Sequence, residues 1–208
     1  GRDLVAIARV FFADIGLPVE DVLKRSDLFE KEGKTPHAFC TNVDRENDVR
    51  VICNVVPSER WMETTLHELG HAVYEKHFAK ATPWALRSPS HTLTTEAIAM
   101  LFGRLPKNGR WMRDALSLPE GESARVAEPA RKALRLRQLV FSRWVQVMTR
   151  FERELYRAPS RDLNALWWDL VERYQGVPRP EGRSAPDYAS KIHIVAAPVY
   201  YHNYLLGE

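Results

Sequence analysis

With 208 residues, 45% of them hydrophobic and six of them tryptophan, the chain has ample material for a buried core and fits one domain or one lobe of a larger molecule. Its 30 basic and 27 acidic residues are intermixed and leave a net charge of +3, so no nucleic-acid partner is implied. No apolar run reaches the ~18 residues of a membrane span, no signal-peptide pattern is present, and two cysteines exclude a disulfide scaffold.

Asp3 to Phe12 reads as a short, strongly apolar helix ended by Ile15-Gly16-Leu17-Pro18, and a second short helix spans Val19 to Ser26. A loop with Gly33 and Pro36 leads into 37–42, and a polar tip at 44–48 separates that run from 49–56. Alternation and β-branched residues predict an antiparallel hairpin there, and a turn centred on Glu46-Asn47 sets Cys40 opposite Cys53. Reduced, buried thiols suit a cytoplasmic protein and an oxidised pair an exported one; the cytoplasm is weakly favoured and the compartment stays open.

A helix from about Ser58 to Phe78 follows, capped by Ser58, with Met62, Leu66, Leu69 and Val73 as its apolar stripe. Residues 90–103 form a helix closed by Gly103, 105–109 a turn, and Trp111 to Leu116 a short helix. The longest helical pattern, 123–157, carries a stripe expected to be buried, from Leu134, Leu136 and Val140 through Met148 and Phe151 to Leu155. Ser160 is expected to cap a helix reaching Tyr174, 176–182 is a surface loop, and the apolar, aromatic stretch 191–204 starts a helix near Pro198. The fold class is mostly α with one small β-hairpin.

The chemistry lies in His67-Glu68-Leu69-Gly70-His71. On a helix, positions i and i+4 share a face, so both imidazoles can bind one zinc ion at ~2.0–2.1 Å. Glu68, ~100° round the helix from His67, can reach a water on the open side of that ion without being a ligand. Two ligands and a general base at this spacing are the pattern of a zinc peptidase. Gly70 in mid-helix costs ~1 kcal/mol, which points to close packing at that turn.

A catalytic zinc takes three protein ligands, and three residues compete for the third position. His77 has the metzincin separation from His71, but Tyr74 stands where that pattern needs glycine. On an unbroken helix His77 points ~240° away from His71, and it is rejected. His91, at the start of its helix, is a further candidate that could equally cap that helix or stay exposed. Glu96, 25 residues after His71, lies among Ala97, Ile98 and Met100, apolar company that fits a solvated acid poorly. Small Ala97 and Ala99 allow its helix to approach the first, and Glu96 is the preferred ligand.

His67-Glu68-Leu69-Gly70-His71 followed by Thr94-Thr95-Glu96-Ala97-Ile98 resembles the gluzincin zinc metallopeptidases, which include the angiotensin-converting enzyme, thimet oligopeptidase and oligoendopeptidase F families. Lys191-Ile192-His193-Ile194 with Tyr201 and Tyr204 is similar to the substrate-binding segment of the angiotensin-converting enzyme family, with one extra residue between histidine and tyrosine. The resemblance implies that Lys191 and Tyr201 hold the peptide's C-terminal carboxylate and that His193 contacts a substrate carbonyl. It also implies that Tyr204 stabilises the tetrahedral intermediate, and the two tyrosines three apart match the oligopeptidases as well. His37-Ala38-Phe39 resembles the edge strand of these enzymes, so His37 and Ala38 are implied to bind extended substrate.

The implied molecule is a zincin-like helical peptidase with one Zn2+ ion, a deep channel and an oligopeptide substrate, acting as an oligopeptidase or a peptidyl-dipeptidase. The chain opens on Gly1-Arg2-Asp3 without methionine and stops within a helical pattern, so it is expected to be the catalytic portion of a larger peptidase. On that expectation residues 1–56 carry the N-terminal helices and edge hairpin and 57–104 the zinc-binding helices. Residues 105–208 then form a helical lobe ending in the substrate-binding segment. Rival readings are an H-E-x-x-H carboxypeptidase, a zinc-binding interaction module without catalysis, and a purely structural helical domain. The sequence does not set the oligomeric state.

Overall fold

Asp3 starts the first helix by accepting hydrogen bonds from the backbone N–H groups of Val5 and Ala6 at 3.0 and 3.1 Å. In the computed structural model, which describes residues 3–208, the order is α1 (Leu4–Asp14), α2 (Glu20–Arg25), β1 (Phe39–Asn42), β2 (Val49–Ile52) and α3 (Glu59–Lys76). Then come α4 (Thr92–Gly103), α5 (Gly109–Leu116), α6 (Glu120–Arg157), α7 (Leu163–Gln175), α8 (Ile192–Val195) and α9 (His202–Gly207). The fold is mostly helical, and among the described residues the sheet is a single antiparallel pair. Two compact units part at Arg131 and Lys132, within α6.

In the first unit α3 is central. Its stripe of Met62, Leu66, Leu69 and Val73 is buried against Ala8 and Phe12 of α1 and Val49 and Val51 of β2. Ser58 caps α3 by accepting from the Trp61 N–H at 3.2 Å. The hairpin pairs Cys40 with Val51 and Phe39 with Ile52, so the register lies two residues from the one that sets Cys40 opposite Cys53. Asp44 accounts for the shift. Its Oδ1 accepts from the N–H groups of Glu46 and Asp48, at 2.7 and 3.0 Å, and holds the turn one position earlier. A slip of two keeps each side chain on its face, and both cysteines are free thiols. The outer side of β2 is covered by the 27–28 segment, where the Asp27 N–H donates to Val51 O and the Cys53 N–H to Asp27 O, at 3.1 and 3.0 Å.

In the second unit Val147, Met148 and Phe151 of α6 pack with Leu166, Trp167 and Val171 of α7 and with Ile194 of α8. The long stripe is therefore only half buried: Leu136 and Val140 are 64% and 50% exposed, and burial begins at Val145. Periodicity marks the face that is able to bury, and the core shared with α7 and α8 takes up α6 side chains from Trp144 onward. Asp162 rather than Ser160 caps α7, accepting from the Ala165 N–H at 2.9 Å. The last helix begins at His202 rather than near Pro198, because Val199 turns the chain with φ +56°.

Buried Glu152 accepts the Val199 N–H at 2.5 Å and stabilises that left-handed turn. A β-branched residue there costs about 1–2 kcal/mol, and the Val199 side chain is largely exposed. Val199→Gly is therefore expected to raise stability by up to ~1 kcal/mol, after allowing for the larger unfolded-state freedom of glycine. A lowered melting temperature would contradict this account of the turn.

Candidate metal centre

His67 and His71 stand one turn apart on α3, and α4 crosses that turn closely because of small residues. A Cβ on Gly70 would lie 2.8 Å from Ala99 Cα and 3.1 Å from the Phe102 ring. A Cβ on Gly103 would lie 3.3 Å from His67 Cβ. Gly103 is thus the last residue of α4 and a close-contact position, not a left-handed cap; Arg104 follows in right-handed conformation. The mid-helix glycine of α3 serves the close packing its position implies. With the axes this near, Glu96 projects from α4 toward both imidazoles and is 1% exposed.

Among the described residues, His67, His71 and Glu96 form the group able to converge on one metal ion. The two Nε2 atoms are 3.2 Å apart, and Glu96 Oε2 lies 3.5 Å from that of His67 and 3.7 Å from that of His71. Three bonds of ~2.0–2.1 Å at tetrahedral angles hold their donor atoms ~3.3–3.4 Å apart, so the triangle has the size that zinc requires. Two nitrogens and one oxygen also suit zinc chemically. The other two candidates lie elsewhere. His77 Nδ1 donates to Val73 O at 2.7 Å and closes α3, and His91 Nδ1 accepts the Leu93 N–H at 3.2 Å and caps α4.

Burial sets the charge state of the metal-free group. It pushes His67 down to about 4, against the opposing charge of Glu63, and His71 down to about 3, with His67 adding to the effect. Both imidazoles are neutral at pH 7, with a lone pair each to offer. Burial, and then the charge of Glu96, pushes Glu68 up to about 8. Lys107 is itself buried and ion-paired with Glu59 at 2.8 Å and Glu63 at 2.5 Å, which ties the turn after α4 to the start of α3. Nothing in the sequence marked Lys107 as buried, since a lysine in a Pro-Lys-Asn turn is ordinarily solvated.

The second unit gathers the residues of the closing stretch. His193 Nε2 and the Tyr204 hydroxyl are 3.1 Å apart, and the His193 ring packs on Tyr200, Tyr201 and Tyr204. The Trp144 indole N–H donates to the Tyr201 hydroxyl at 2.8 Å, and the Lys191 ammonium lies 5.7 Å from the Trp144 ring centre. Burial raises the Tyr201 phenol, with the Trp144 bond acting against it. Trp144 and Tyr200 join this cluster although only ordinary core periodicity had marked the first of them. His37 and Ala38 lie just before β1, with His37 exposed and its N–H donating to Thr35 Oγ1 at 3.3 Å. The side of β1 away from β2 carries no further strand among the described residues.

A curated angiotensin-converting enzyme from Theromyzon tessulatum is 25% identical over 205 residues, covering 92% of this chain and 32% of that protein. The chain thus spans about a third of the length of this relative. Among solved structures it resembles PZ peptidase A with an inhibitor, at TM-score 0.67 and 19% identity, and an oligoendopeptidase F, at TM-score 0.63 and 20% identity. Each likeness covers 95% of this chain and 33% of the other, and at such identities it is one of fold. The family model for angiotensin-converting enzyme, peptidase family M2, matches residues 2–207, and the chain belongs to that family.

Proposed function

We propose that this chain carries the metal site of a zinc-dependent peptidase that hydrolyses peptide bonds in oligopeptides, with Glu68 as general base. The observation that carries the reading is the donor triangle of His67, His71 and Glu96, with Glu68 buried beside it. Membership of a peptidase family supports the same chemistry. Bound there, zinc would polarise the scissile carbonyl and lower the pKa of the attacking water from ~15.7 towards ~7.

The residues of the chain do the rest. The Glu68 carboxylate takes the proton of the attacking water and returns it to the leaving amine. Positive charge at the triangle opposes the burial that raises Glu68, so loading favours the ionised, proton-accepting form. The side of β1 away from β2 carries no further strand among the described residues, which supports a binding role toward extended peptide for the edge that begins at His37 and Ala38. The roles of Lys191 and Tyr201 at the peptide carboxylate, of His193 at a carbonyl and of Tyr204 at the oxyanion are proposed on the family resemblance.

The test is metal analysis of this chain beside its Glu96→Ala variant. One zinc per wild-type chain is expected. The variant should bind more weakly by more than the ~10–100-fold that follows loss of an outer partner. Wild-type affinity in Glu96→Ala would remove Glu96 from the site and the reading with it.

A further inference from the structure

His71 has two ring nitrogens, and only one faces the other two donors. Its Nε2 lies 3.2 Å from His67 Nε2, while its Nδ1 lies 2.7 Å from the hydroxyl of Thr95, on the neighbouring helix α4. Thr95 is 8% exposed and immediately precedes Glu96, so consecutive residues of α4 meet the same imidazole from two directions. The pairing spans 24 residues and follows from the crossing at Gly70.

We propose that Thr95 is the positioning residue that selects the His71 tautomer competent for metal binding, an inference that rests on the zinc reading above. In a neutral imidazole one nitrogen carries the proton and the other the lone pair. When the Thr95 oxygen accepts from Nδ1–H, the proton is held away from the triangle and the Nε2 lone pair points into it. The same contact fixes the ring plane, which one bond to a metal leaves free to swing. A hydroxyl also has a proton of its own and can donate to Nδ1 instead, leaving Nε2 protonated and unable to ligate. Selection of the Nε2 lone pair therefore requires Thr95 to act as the acceptor from Nδ1–H before any metal arrives. Thr94, one residue earlier, is committed elsewhere: its hydroxyl donates to His91 O at 2.7 Å and lies 3.3 Å from the Tyr74 hydroxyl.

Two variants of the chain separate this role from simple packing. Thr95→Val keeps the branched shape and removes the hydroxyl; Thr95→Ser keeps the hydroxyl and removes the methyl. With Zn2+ alone as probe, in competition with a chromophoric chelator, Thr95→Val should bind ~10–100-fold more weakly than wild type. Thr95→Ser should stay close to wild type. Wild-type affinity in Thr95→Val, or equal losses in both variants, overturns the proposal.

The second readout needs no metal. The 15N signals of the His71 ring in the metal-free chain report which nitrogen is protonated, and Thr95→Val should change that pattern where Thr95→Ser restores it. Identical patterns in wild type and Thr95→Val overturn the pairing. A wild-type chain that binds no zinc sinks the metal reading, while the ring signals still decide the role of Thr95.

Discussion

Glu68→Gln is expected to keep its metal and lose turnover by about 10²–10⁴-fold, the range that a positioned general base contributes. Glu68 follows His67 directly on α3, so it faces ~100° away from the first ligand and is not one of the three donors. It is 7% exposed, and burial together with Glu96 keeps its carboxyl protonated at pH 7 in the metal-free chain. A glutamine there keeps the shape, is neutral like the carboxyl of the metal-free chain and removes no donor of the triangle, so fold and zinc content should be preserved. The amide nevertheless has no basic oxygen with which to take a proton from water. Kinetics on a blocked oligopeptide in the full-length protein, paired with zinc stoichiometry, check both halves. Undiminished turnover would remove Glu68 from the mechanism, whereas joint loss of zinc and turnover would make it structural.

The second large effect concerns stability. Gly70→Ala should destabilise the chain, although alanine is the better helix former by up to ~1 kcal/mol. The added Cβ would stand 2.8 Å from Ala99 Cα, a backbone atom that cannot rotate aside. The two helices must then separate, at the ~1–3 kcal/mol typical of overpacking, or more where backbone has to move. Gly121, also helical but with nothing within 4 Å of its Cβ position, is the control, and Gly121→Ala should be neutral or stabilising. At roughly 2–4 °C per kcal/mol for a chain of this size, opposite shifts in melting temperature are measurable. The same change moves Glu96 away from the imidazoles, so zinc affinity should fall in Gly70→Ala alone. Two variants with equal melting temperatures would mean that α3 and α4 do not depend on Gly70 for their approach.

The donor triangle and the packing are closely joined on α3. Leu66, Leu69 and Val73 bury the helix on one side, His67 and His71 offer donors on another, and Gly70 between them admits α4. Bulk at one position would disturb both the core and the metal geometry.

Much of this site was legible in the letters. His67, Glu68 and His71 are spaced by one turn of a helix, and a turn is short-range geometry that any good helix reproduces. Glu96 was legible for another reason: an acid among Ala97, Ile98 and Met100 has no wet face of its own and needs a buried partner. The alternation of 37–42 and 49–56 gave the correct faces of the hairpin, yet a repeat of two cannot distinguish registers two residues apart. That choice fell to the Asp44 side chain. Gly103 illustrates the same limit, because a glycine ending a helix reads alike whether it turns the chain or clears room for His67. On α6 the stripe named a face, and only the covering side chains of α7 and α8 determined that its part from Val147 is the buried one. Thr95 stood in the letters only as the neighbour of Glu96 in its motif, and nothing marked its pairing, since a hydroxyl that meets an imidazole 24 residues away obeys no period. Local spacing along the chain determined which groups share a turn of helix. What lies across from them was decided by packing, because contacts between distant segments depend on the volume and shape of everything in between.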